Sequence, residues 1–413
     1  MSMNPDIERL KPYPFQRLAA LTAPLTPPTC ALINLAIGEP RHPAPLCVTT
    51  ALTEGLAALS SYPATRGPLG LRETISAWLA RRYALPPSSL DPDRHVLPTA
   101  GSREALYAVA QARIDRTRTQ RPVVIMPNPC YQVYEGAALL AGAEPYYAAT
   151  EAANGFRMDL ARIPQAIWQR TQLVFTCSPG NPTGAVMARA DYAELLALAQ
   201  RYDFLIAADE CYSEIYDDED APPEGLLQAA AALGVGDFAR CVVLHSLSKR
   251  SNVPGLRFGF VAGDAAFLSP LLTLRTYLGC APSSLAHKAA IAALQDEAHV
   301  RANRAQYREK FDDARAILGD VLPIERPAGG FYLWLRTPID DEAFVAGLFA
   351  EHHVLALPGR YLSRASDHGD PGAGYVRLAL VGPRAECREG LTRLRAYVES
   401  LALRTPHVTS KAH

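Results

Sequence analysis

One lysine is placed where it could act as a chemical reagent. An apolar run that begins at Cys241 ends in Ser246-Leu247-Ser248-Lys249, and a second apolar run follows Arg257. At a strand exit, burial and a neighbouring cation lower the pKa of a lysine, so part of it is free amine that can attack a carbonyl. Ser246 and Arg257 offer a hydroxyl and a planar guanidinium, which suit phosphate oxygens. An amine beside a phosphate clamp suggests pyridoxal phosphate.

A solvated loop lysine and an ordinary surface arginine would give the same short pattern, so other residues must decide. Polar side chains also follow three other strand-like runs: Tyr131, Asn181 in a rigid Pro- and Gly-rich turn, and Asp209 with Tyr212. A buried Asp209 carboxylate needs a partner, and a protonated pyridine nitrogen would supply it and keep the ring an electron sink. A turn, a cap or ring packing explains each residue singly. Their recurrence at successive strand ends favours one shared site.

Two glycine-containing turns are further candidates for binding anions. Gly101-Ser102-Arg103 opens a predicted helix, whose free N–H groups and positive dipole end would form a phosphate seat. Gly38, beside a short predicted strand over Leu32–Ile37, could expose backbone N–H to a carboxylate. A plain capped helix and an ordinary turn glycine are the alternatives.

These residues need a sheet to position them, and the hydrophobic pattern predicts one. Continuous apolar runs of strand length alternate with helical stretches, which is typical of a mostly parallel sheet covered by helices on both faces. Ligands bind at the carboxyl ends of such strands. The pattern rests on a helix face at Leu71, Ile75, Trp78 and Leu79 and on runs at 123–126, 173–176, 204–207 and 241–244.

A chain of 413 residues predicts two domains and two terminal segments. We assign 1–45 to an arm and first strand packing with the small domain, 46–290 to a large cofactor-binding domain and 291–404 to a small C-terminal domain. The segment 405–413 is predicted to be a disordered tail. Six prolines in the first 30 residues indicate an irregular arm, and Tyr13 and Phe15 suggest that it crosses another surface, often a second subunit.

Composition excludes several function classes. The net charge is −1, with 49% hydrophobic and 20% charged residues, so no basic excess favours nucleic acid or a membrane surface. Eight cysteines without a C-x-x-C pair show neither zinc spacing nor a disulfide framework, and we expect buried thiols in a reducing compartment and no metal. The start of the chain has no signal-peptide pattern and no apolar run has spanning length. A cytoplasmic location is expected.

Four motifs together resemble the class I and II aminotransferases, which are fold-type-I pyridoxal-phosphate enzymes. They are Asn181-Pro182-Thr183-Gly184, Asp209-Glu210-Cys211-Tyr212, Ser246-Leu247-Ser248-Lys249 with Arg257, and Tyr375-Val376-Arg377-Leu378. The resemblance runs from about residue 30 to 402. It implies an α/β fold with a mostly parallel central sheet covered by helices and a smaller α+β C-terminal domain.

The resemblance also implies roles toward the cofactor. Lys249 would hold pyridoxal phosphate covalently and then move a proton at the substrate's α-carbon. Asp209 would pair with the pyridine nitrogen, Tyr212 and Asn181 would donate to the phenolic oxygen, and Tyr131 would stack on the ring. The phosphate would be held by Ser246, Arg257 and the backbone N–H groups of Ser102 and Arg103.

The remaining roles concern the substrate and a second subunit. Arg377, helped by the Gly38 N–H, would clamp the substrate's α-carboxylate. Tyr62 matches the tyrosine that the family supplies to the phosphate of the neighbouring subunit, so a homodimer with shared sites is implied. The arm and the small domain could close over the site and exclude water.

Within the family, three stretches look like the succinyldiaminopimelate transaminases of bacterial lysine synthesis: 210–216 with Pro222-Pro223, 248–257, and 357–359 with 371–374. This likeness implies N-succinyl-LL-2,6-diaminopimelate and 2-oxoglutarate as substrates. A succinyl tail calls for a second cation, for which Arg360, Arg364, Arg250 and Arg66 are candidates. Arg360 and Asp217-Asp218 depart from the pattern of these enzymes, which leaves the distal half of the substrate open.

Other functions fit parts of the sequence. A transaminase of aspartate, alanine or acetylornithine type, or a C–S lyase, would use the same core residues. Transcription regulators with an aminotransferase-like domain need an N-terminal DNA-binding module, but only about 30 residues precede the first matching strand. Substrate profiling would separate the enzymes from one another.

Overall fold

The computed structural model describes residues 4–366 and 369–404, so the predicted tail at 405–413 lies outside the described residues. The strands are β1 Ile33–Asn34, β2 Val96–Thr99, β3 Val123–Asn128, β4 Glu144–Ala149, β5 Thr171–Cys177, β6 Leu205–Asp209, β7 Cys241–Ser246, β8 Gly259–Gly263, β9 Tyr332–Arg336, β10 Val354–Leu355, β11 Leu357–Pro358 and β12 Tyr375–Ala379. The helices are α1 Pro5–Glu8, α2 Pro14–Thr22, α3 Leu46–Glu54, α4 Leu69–Arg82, α5 Ser102–Arg113, α6 Gln132–Leu140, α7 Gln165–Trp168, α8 Arg189–Tyr202, α9 Leu226–Ala232, α10 Leu247–Arg250, α11 Ala265–Leu278, α12 Ser284–Gln295, α13 Ala298–Leu318, α14 Asp341–His352 and α15 Arg384–Arg404.

A seven-stranded sheet forms the centre of the molecule, in the order β2-β8-β7-β6-β5-β3-β4. Strands β3 to β7 run parallel to one another, whereas β8 is antiparallel to both β7 and β2. The predicted fold class, a mostly parallel sheet flanked by helices, is therefore confirmed. The predicted apolar runs all fall within or beside these strands.

Both faces of this sheet are buried, which explains why its strands read as continuous apolar runs. In β7, Cys241 and Val243 pack into the core under α4, α8, α9 and α12. The alternating residues Val242 and Leu244 pack on the opposite face with α5, α6 and α11. A strand with one wet face would instead show polar residues at every second position.

A third core joins the C-terminal elements to the N-terminal segment. It contains the sheet β11-β12-β9 and helices α13, α14 and α15, together with Leu18, Ile33 and Leu35. Strand β1 pairs in parallel with β10, so the first strand docks on this C-terminal unit. The boundary proposed between residues 290 and 291 falls inside α12, whose Ala289, Ala290 and Ala293 belong to the core of the large sheet. We now propose a boundary at Asp296, between α12 and α13.

The structure corrects several details of the sequence prediction. The arm, predicted to be irregular, contains two helices. Pro5 and Pro14 do not prevent them, because each lies at the first position of its helix, where a missing N–H costs nothing. The first predicted strand is only two residues long. The C-terminal unit begins after a break at Asp296 and Glu297, which separates α12 from α13. Cys30 is exposed rather than buried.

Within residues 4–366 and 369–404, no helix combines the length and the apolar character that a bilayer crossing requires.

Candidate active site

The predicted residues converge on one cavity at the carboxyl ends of the central strands. Asp209, at the end of β6, pairs laterally with Cys177 of β5 and Leu244 of β7, so these strand ends are level. A cavity of about 570 Å³ opens there. Its lining includes Gly38, Ser102, Arg103, Tyr131, Asn181, Asp209, Tyr212, Ser246, Lys249, Arg257 and Arg377.

Lys249 projects into this cavity from the one-turn helix α10. Its Nζ donates to the backbone oxygen of Gly38 at 2.9 Å and lies 5.4 Å from the centre of the Phe331 ring. Burial, with help from the positive charges of Arg377 and Arg103, lowers the pKa of this lysine to about 8. The pKa is held from falling further by Cys211 and Glu39. A usable fraction of free amine at neutral pH follows.

The Asp209 carboxylate is buried with neutral partners. Its Oδ2 accepts from the Tyr134 hydroxyl at 2.7 Å, and its Oδ1 accepts from the Cys211 N–H at 3.3 Å. Burial raises the pKa of Asp209. Among the described residues it forms no ion pair with a lysine or arginine, so this carboxylate fits a cationic group of a ligand.

The Arg377 guanidinium is hydrogen-bonded to two residues of the cavity wall, and one of its three nitrogen atoms has no partner among the described residues. Its Nη1 donates to Asn181 Oδ1 at 2.9 Å, and its Nη2 donates to the Ala36 oxygen at 2.8 Å. Its buried Nε makes no hydrogen bond within the described part of the chain. Because the Asn181 oxygen is used, the amide NH₂ of Asn181 is available to donate to a ligand.

The phosphate seat has the expected parts. Ser246 lies opposite Gly259 in the β7–β8 pair, which brings Arg257 beside the start of α5. Arg257 Nη2 lies 3.5 Å from the Ala100 oxygen. A Cβ on Gly259 would meet the His245 oxygen at 2.5 Å and the Ser102 nitrogen at 3.1 Å, so only glycine permits this close approach. The cradle fits a phosphate at a helix N-terminus.

The N-terminal arm contributes to the cavity of its own chain. Tyr13 and Phe15 line it beside Gly38 and Glu39. The arm therefore crosses another surface of its own chain, while contact of these two aromatic residues with a second subunit stays a prediction. Gly38 itself is fixed by packing, because a Cβ there would lie 2.0 Å from the Tyr332 hydroxyl.

Five predicted residues do not line the cavity of their own chain. Tyr62 is fully exposed. The four arginines proposed for a distal carboxylate are engaged elsewhere: Arg360 with Asp340 and Asp341, Arg364 with Glu135, Arg250 with Glu297, and Arg66 with the Asp93 oxygen. Each of these side chains has a local partner and lies outside the cavity of its own chain, so a role toward the distal group stays a prediction for them. Arg103 also lines the cavity, where its Nε donates to the Tyr131 hydroxyl at 2.5 Å.

Two tyrosines of the site escaped the sequence analysis. Tyr134 holds Asp209, and the Tyr332 hydroxyl lies 3.1 Å from that of Tyr212. The Arg377 guanidinium also packs 4.3 Å from the Tyr332 ring centre. Tyr332 follows Phe331 and Gly329-Gly330 at the start of an apolar strand. Its hydroxyl, the one polar group of an otherwise apolar side chain, was the feature of the sequence that could have indicated a role in the site.

Known proteins resemble this chain over nearly its whole length. A curated LL-diaminopimelate aminotransferase from Desulforudis audaxviator is 34% identical over 393 residues, covering 94% of this chain and 96% of the relative. A solved aminotransferase from Neisseria meningitidis is 44% identical with a TM-score of 0.91, covering 95% and 99% of the two chains. A solved probable N-succinyldiaminopimelate aminotransferase from Thermus thermophilus is 27% identical with a TM-score of 0.81, covering 93% and 100%.

A sequence model of one protein family matches nearly all of the residues that form this fold. The sequence model of the family described as "Aminotransferase class I and II" matches residues 31–394, which include every cavity-lining residue predicted above. This chain therefore belongs to the class I and II aminotransferases, enzymes that use pyridoxal phosphate to transfer amino groups between amino acids and 2-oxo acids.

Proposed function

We propose that this aminotransferase acts on N-succinyl-LL-2,6-diaminopimelate and 2-oxoglutarate in bacterial lysine and diaminopimelate synthesis, a role that would place it in the cytoplasm. The observation that carries the proposal is a positively charged side chain at the cavity that has no other role in the proposed reaction. Lys249, Arg257 and Arg377 are assigned to the reaction, the phosphate and the α-carboxylate. Arg103 remains as a cation that can meet a distal carboxylate.

The chain's own residues have defined tasks in this proposal. The cofactor, when bound, supplies an electron sink for the bonds at the substrate's α-carbon. Asp209 would hold the pyridine nitrogen, and the Asn181 amide and Tyr212 hydroxyl would donate to the phenolic oxygen. Tyr131 would pack against the ring. Lys249 would then accept and return the proton of the α-carbon, a task that suits an amine with a pKa of about 8.

Two further groups of residues would hold the ends of the ligands. Ser246, Arg257 and the N–H groups of Ser102 and Arg103 would bind the phosphate, as the cradle at the start of α5 supports. Arg377 would clamp the α-carboxylate next to the Gly38 N–H. Tyr13 and Phe15 would shield this end from water.

LL-diaminopimelate itself is the second candidate substrate. The curated relative from Desulforudis audaxviator is named for it, and Glu39 in the cavity wall would attract a distal ammonium. Succinylation replaces that ammonium by an uncharged amide and a carboxylate. Glu39 thus favours the free amino acid, whereas Arg103 favours the acylated one. Transaminases of other amino acids and C–S lyases share only the inner part of this site.

The deciding experiment compares amino donors on the purified holoenzyme by following the absorbance change of the bound cofactor. We expect N-succinyl-LL-diaminopimelate to react at lower concentration than LL-diaminopimelate, aspartate, alanine or acetylornithine.

Arg103→Met should lower kcat/KM for the succinylated donor relative to alanine about tenfold or more, whereas exposed Arg162→Gln should leave this ratio unchanged. Preference for LL-diaminopimelate, abolished by Glu39→Gln, would establish the second candidate. Preference for a small amino acid would exclude both.

We also propose a homodimer with shared sites. Tyr62 is fully exposed, and Leu46, Leu56 and Leu59 of the same segment are more than half exposed, which is unusual for large apolar side chains. Mixing Tyr62→Ala with Lys249→Ala subunits tests the arrangement. If Tyr62 serves the neighbouring site, each mixed dimer contains one complete site and activity rises above that of either variant alone. No recovery in a confirmed mixed dimer would contradict the shared site.

A further inference from the structure

Three side chains with metal-binding chemistry meet outside the active site. Cys47 lies in the first turn of α3, Asp296 follows α12, and His299 lies in the first turn of α13. Their sulfur, carboxylate oxygen and imidazole nitrogen atoms all lie within 4.8 Å of one another. The chain separates Cys47 from the other two by about 250 residues, so no sequence spacing could have indicated the cluster.

One atom of this cluster is buried without a hydrogen bond. His299 Nδ1 lies 3.3 Å from Asp296 Oδ2, yet it forms no hydrogen bond within the described residues. The other ring nitrogen, Nε2, lies 2.9 Å from Ser251 Oγ. Because the Ser251 hydroxyl can donate to Nε2 or accept from it, Nδ1 faces the Asp296 carboxylate either with a proton or with a lone pair. The separation of 3.3 Å matches that of two ligand atoms on one tetrahedral cation, which would take the place of the proton.

We propose that Cys47, Asp296 and His299 form a binding site for a divalent cation of the zinc type. A thiolate, an imidazole and a carboxylate are the ligands that Zn²⁺ binds in tetrahedral sites, with water at the fourth position. Only small movements are needed, because the three ligand atoms are already grouped. The sequence analysis predicted no metal, and this site departs from that prediction.

The surrounding charges are compatible with a cation. The guanidinium of Arg250 is paired with Glu297 at 2.6 Å rather than with Asp296. Cation binding would release the thiol proton of Cys47 to solvent as the metal–sulfur bond forms.

The position of the cluster suggests what the cation does. Val48, next to Cys47, belongs to the core of the large sheet, whereas α13 continues to Tyr307 and Phe311 in the C-terminal core. A cation held by Cys47 and His299 would link these two units at their junction. It takes no part in transamination, so it should raise thermal stability without being required for the chemistry.

Cobalt substitution tests the site in the holoenzyme without added amino acid, because Co²⁺ bound tetrahedrally to thiolate absorbs at longer wavelengths than the cofactor. We expect one equivalent of Co²⁺ with such bands, displacement by Zn²⁺, and a Tm that rises with Zn²⁺. Cys47→Ser and His299→Gln should each weaken binding by about tenfold or more. Cys30→Ser, which removes an exposed cysteine elsewhere, should bind like the wild type.

Two results would overturn the proposal. The first is a wild-type protein that shows no tetrahedral cobalt bands and no Tm rise, a result that does not depend on any variant folding. The second is equal binding by the Cys47→Ser, His299→Gln and Cys30→Ser proteins, which would place the cation elsewhere.

Discussion

At the scale of single residues, Lys249 is the group on which the proposed reaction would depend. Its amine is buried, held by the Gly38 oxygen, and has a pKa of about 8. We expect Lys249→Ala to abolish turnover, because no other amine of the described residues lines the cavity, while Asp209 and the proposed phosphate seat should still hold some cofactor. Activity with the preferred donor and the absorbance of bound cofactor check this. Exposed Lys288→Ala is the control, and full activity of Lys249→Ala would contradict the mechanism.

Gly38 is the second residue whose identity the site requires. A Cβ at this position would lie 2.0 Å from the Tyr332 hydroxyl and 2.7 Å from its ring carbon Cζ. Gly38→Ala must therefore displace Tyr332, and with it the wall against which Arg377 packs. We expect kcat/KM to fall about 10²-fold, the usual cost of a displacement near 1 Å. Steady-state kinetics measure this, and Gly70→Ala, with open space around it, should leave kcat/KM unchanged.

At the scale of elements, a buried ion pair fixes the helix that carries the phosphate seat. Arg275 of α11 is fully buried and donates to both carboxylate oxygens of Glu104 on α5, at 3.0 Å each. It also donates to the Pro98 and Cys280 oxygens. The start of α5 is therefore anchored from below by a neighbouring helix.

Removing this anchor should affect both stability and cofactor affinity. Arg275→Leu removes the cation from Glu104, which keeps the Ala100 N–H as a donor, and leaves two carbonyl oxygens without their donor, so we expect a loss of about 3 kcal/mol in unfolding free energy. Weaker pyridoxal phosphate binding should accompany it as α5 shifts. Urea unfolding and cofactor titration measure the two effects. The exposed pair of Arg162 and Glu151 is the control, since Arg162→Leu should cost about 1 kcal/mol or less.

The elements also show which parts of the site the sequence could predict. Lys249, Asp209 and Asn181 follow apolar runs, and parallel strands bring such positions to one edge, so local pattern was sufficient. Tyr332 joins them only because β9 pairs with β12 and the C-terminal unit docks over the cavity. The sequence hides the ion pairs of Arg360, Arg364 and Arg250 for the same reason, because only the fold brings their acidic partners beside them.

At the scale of the whole molecule, a buried hydrogen-bond chain connects three parts of the structure. Lys310 of α13 donates to His42 Nε2 at 2.6 Å, and His42 Nδ1 lies 2.7 Å from Asn303 Oδ1. The Asn303 amide then donates to the Lys249 backbone oxygen at 3.3 Å. The N-terminal segment, the C-terminal unit and the catalytic turn are thus joined through groups that water does not reach.

Lys310 should give the molecule a distinctive pH dependence of stability. Burial lowers its pKa from 10.5 to about 8, and the positive charge of Arg41 adds to the effect. Between these two values the unfolded chain binds a proton that the folded chain does not, so the unfolding free energy contributed by Lys310 rises with pH from about 8 to 10.5. Below pH 8 both states are protonated, and the buried charge carries its full cost of about 3 kcal/mol.

The comparison with Lys310→Met isolates this contribution. Methionine removes the titration while filling similar space, although His42 and the Leu380 oxygen lose a donor. Urea unfolding of both holoenzymes across this pH range should show the wild type gaining stability relative to Lys310→Met as pH rises. Exposed Lys288→Met should follow the wild type. If the unfolding free energies of wild type and Lys310→Met changed in parallel with pH, Lys310 would have an ordinary pKa. The buried hydrogen-bond chain would then hold a stable positive charge.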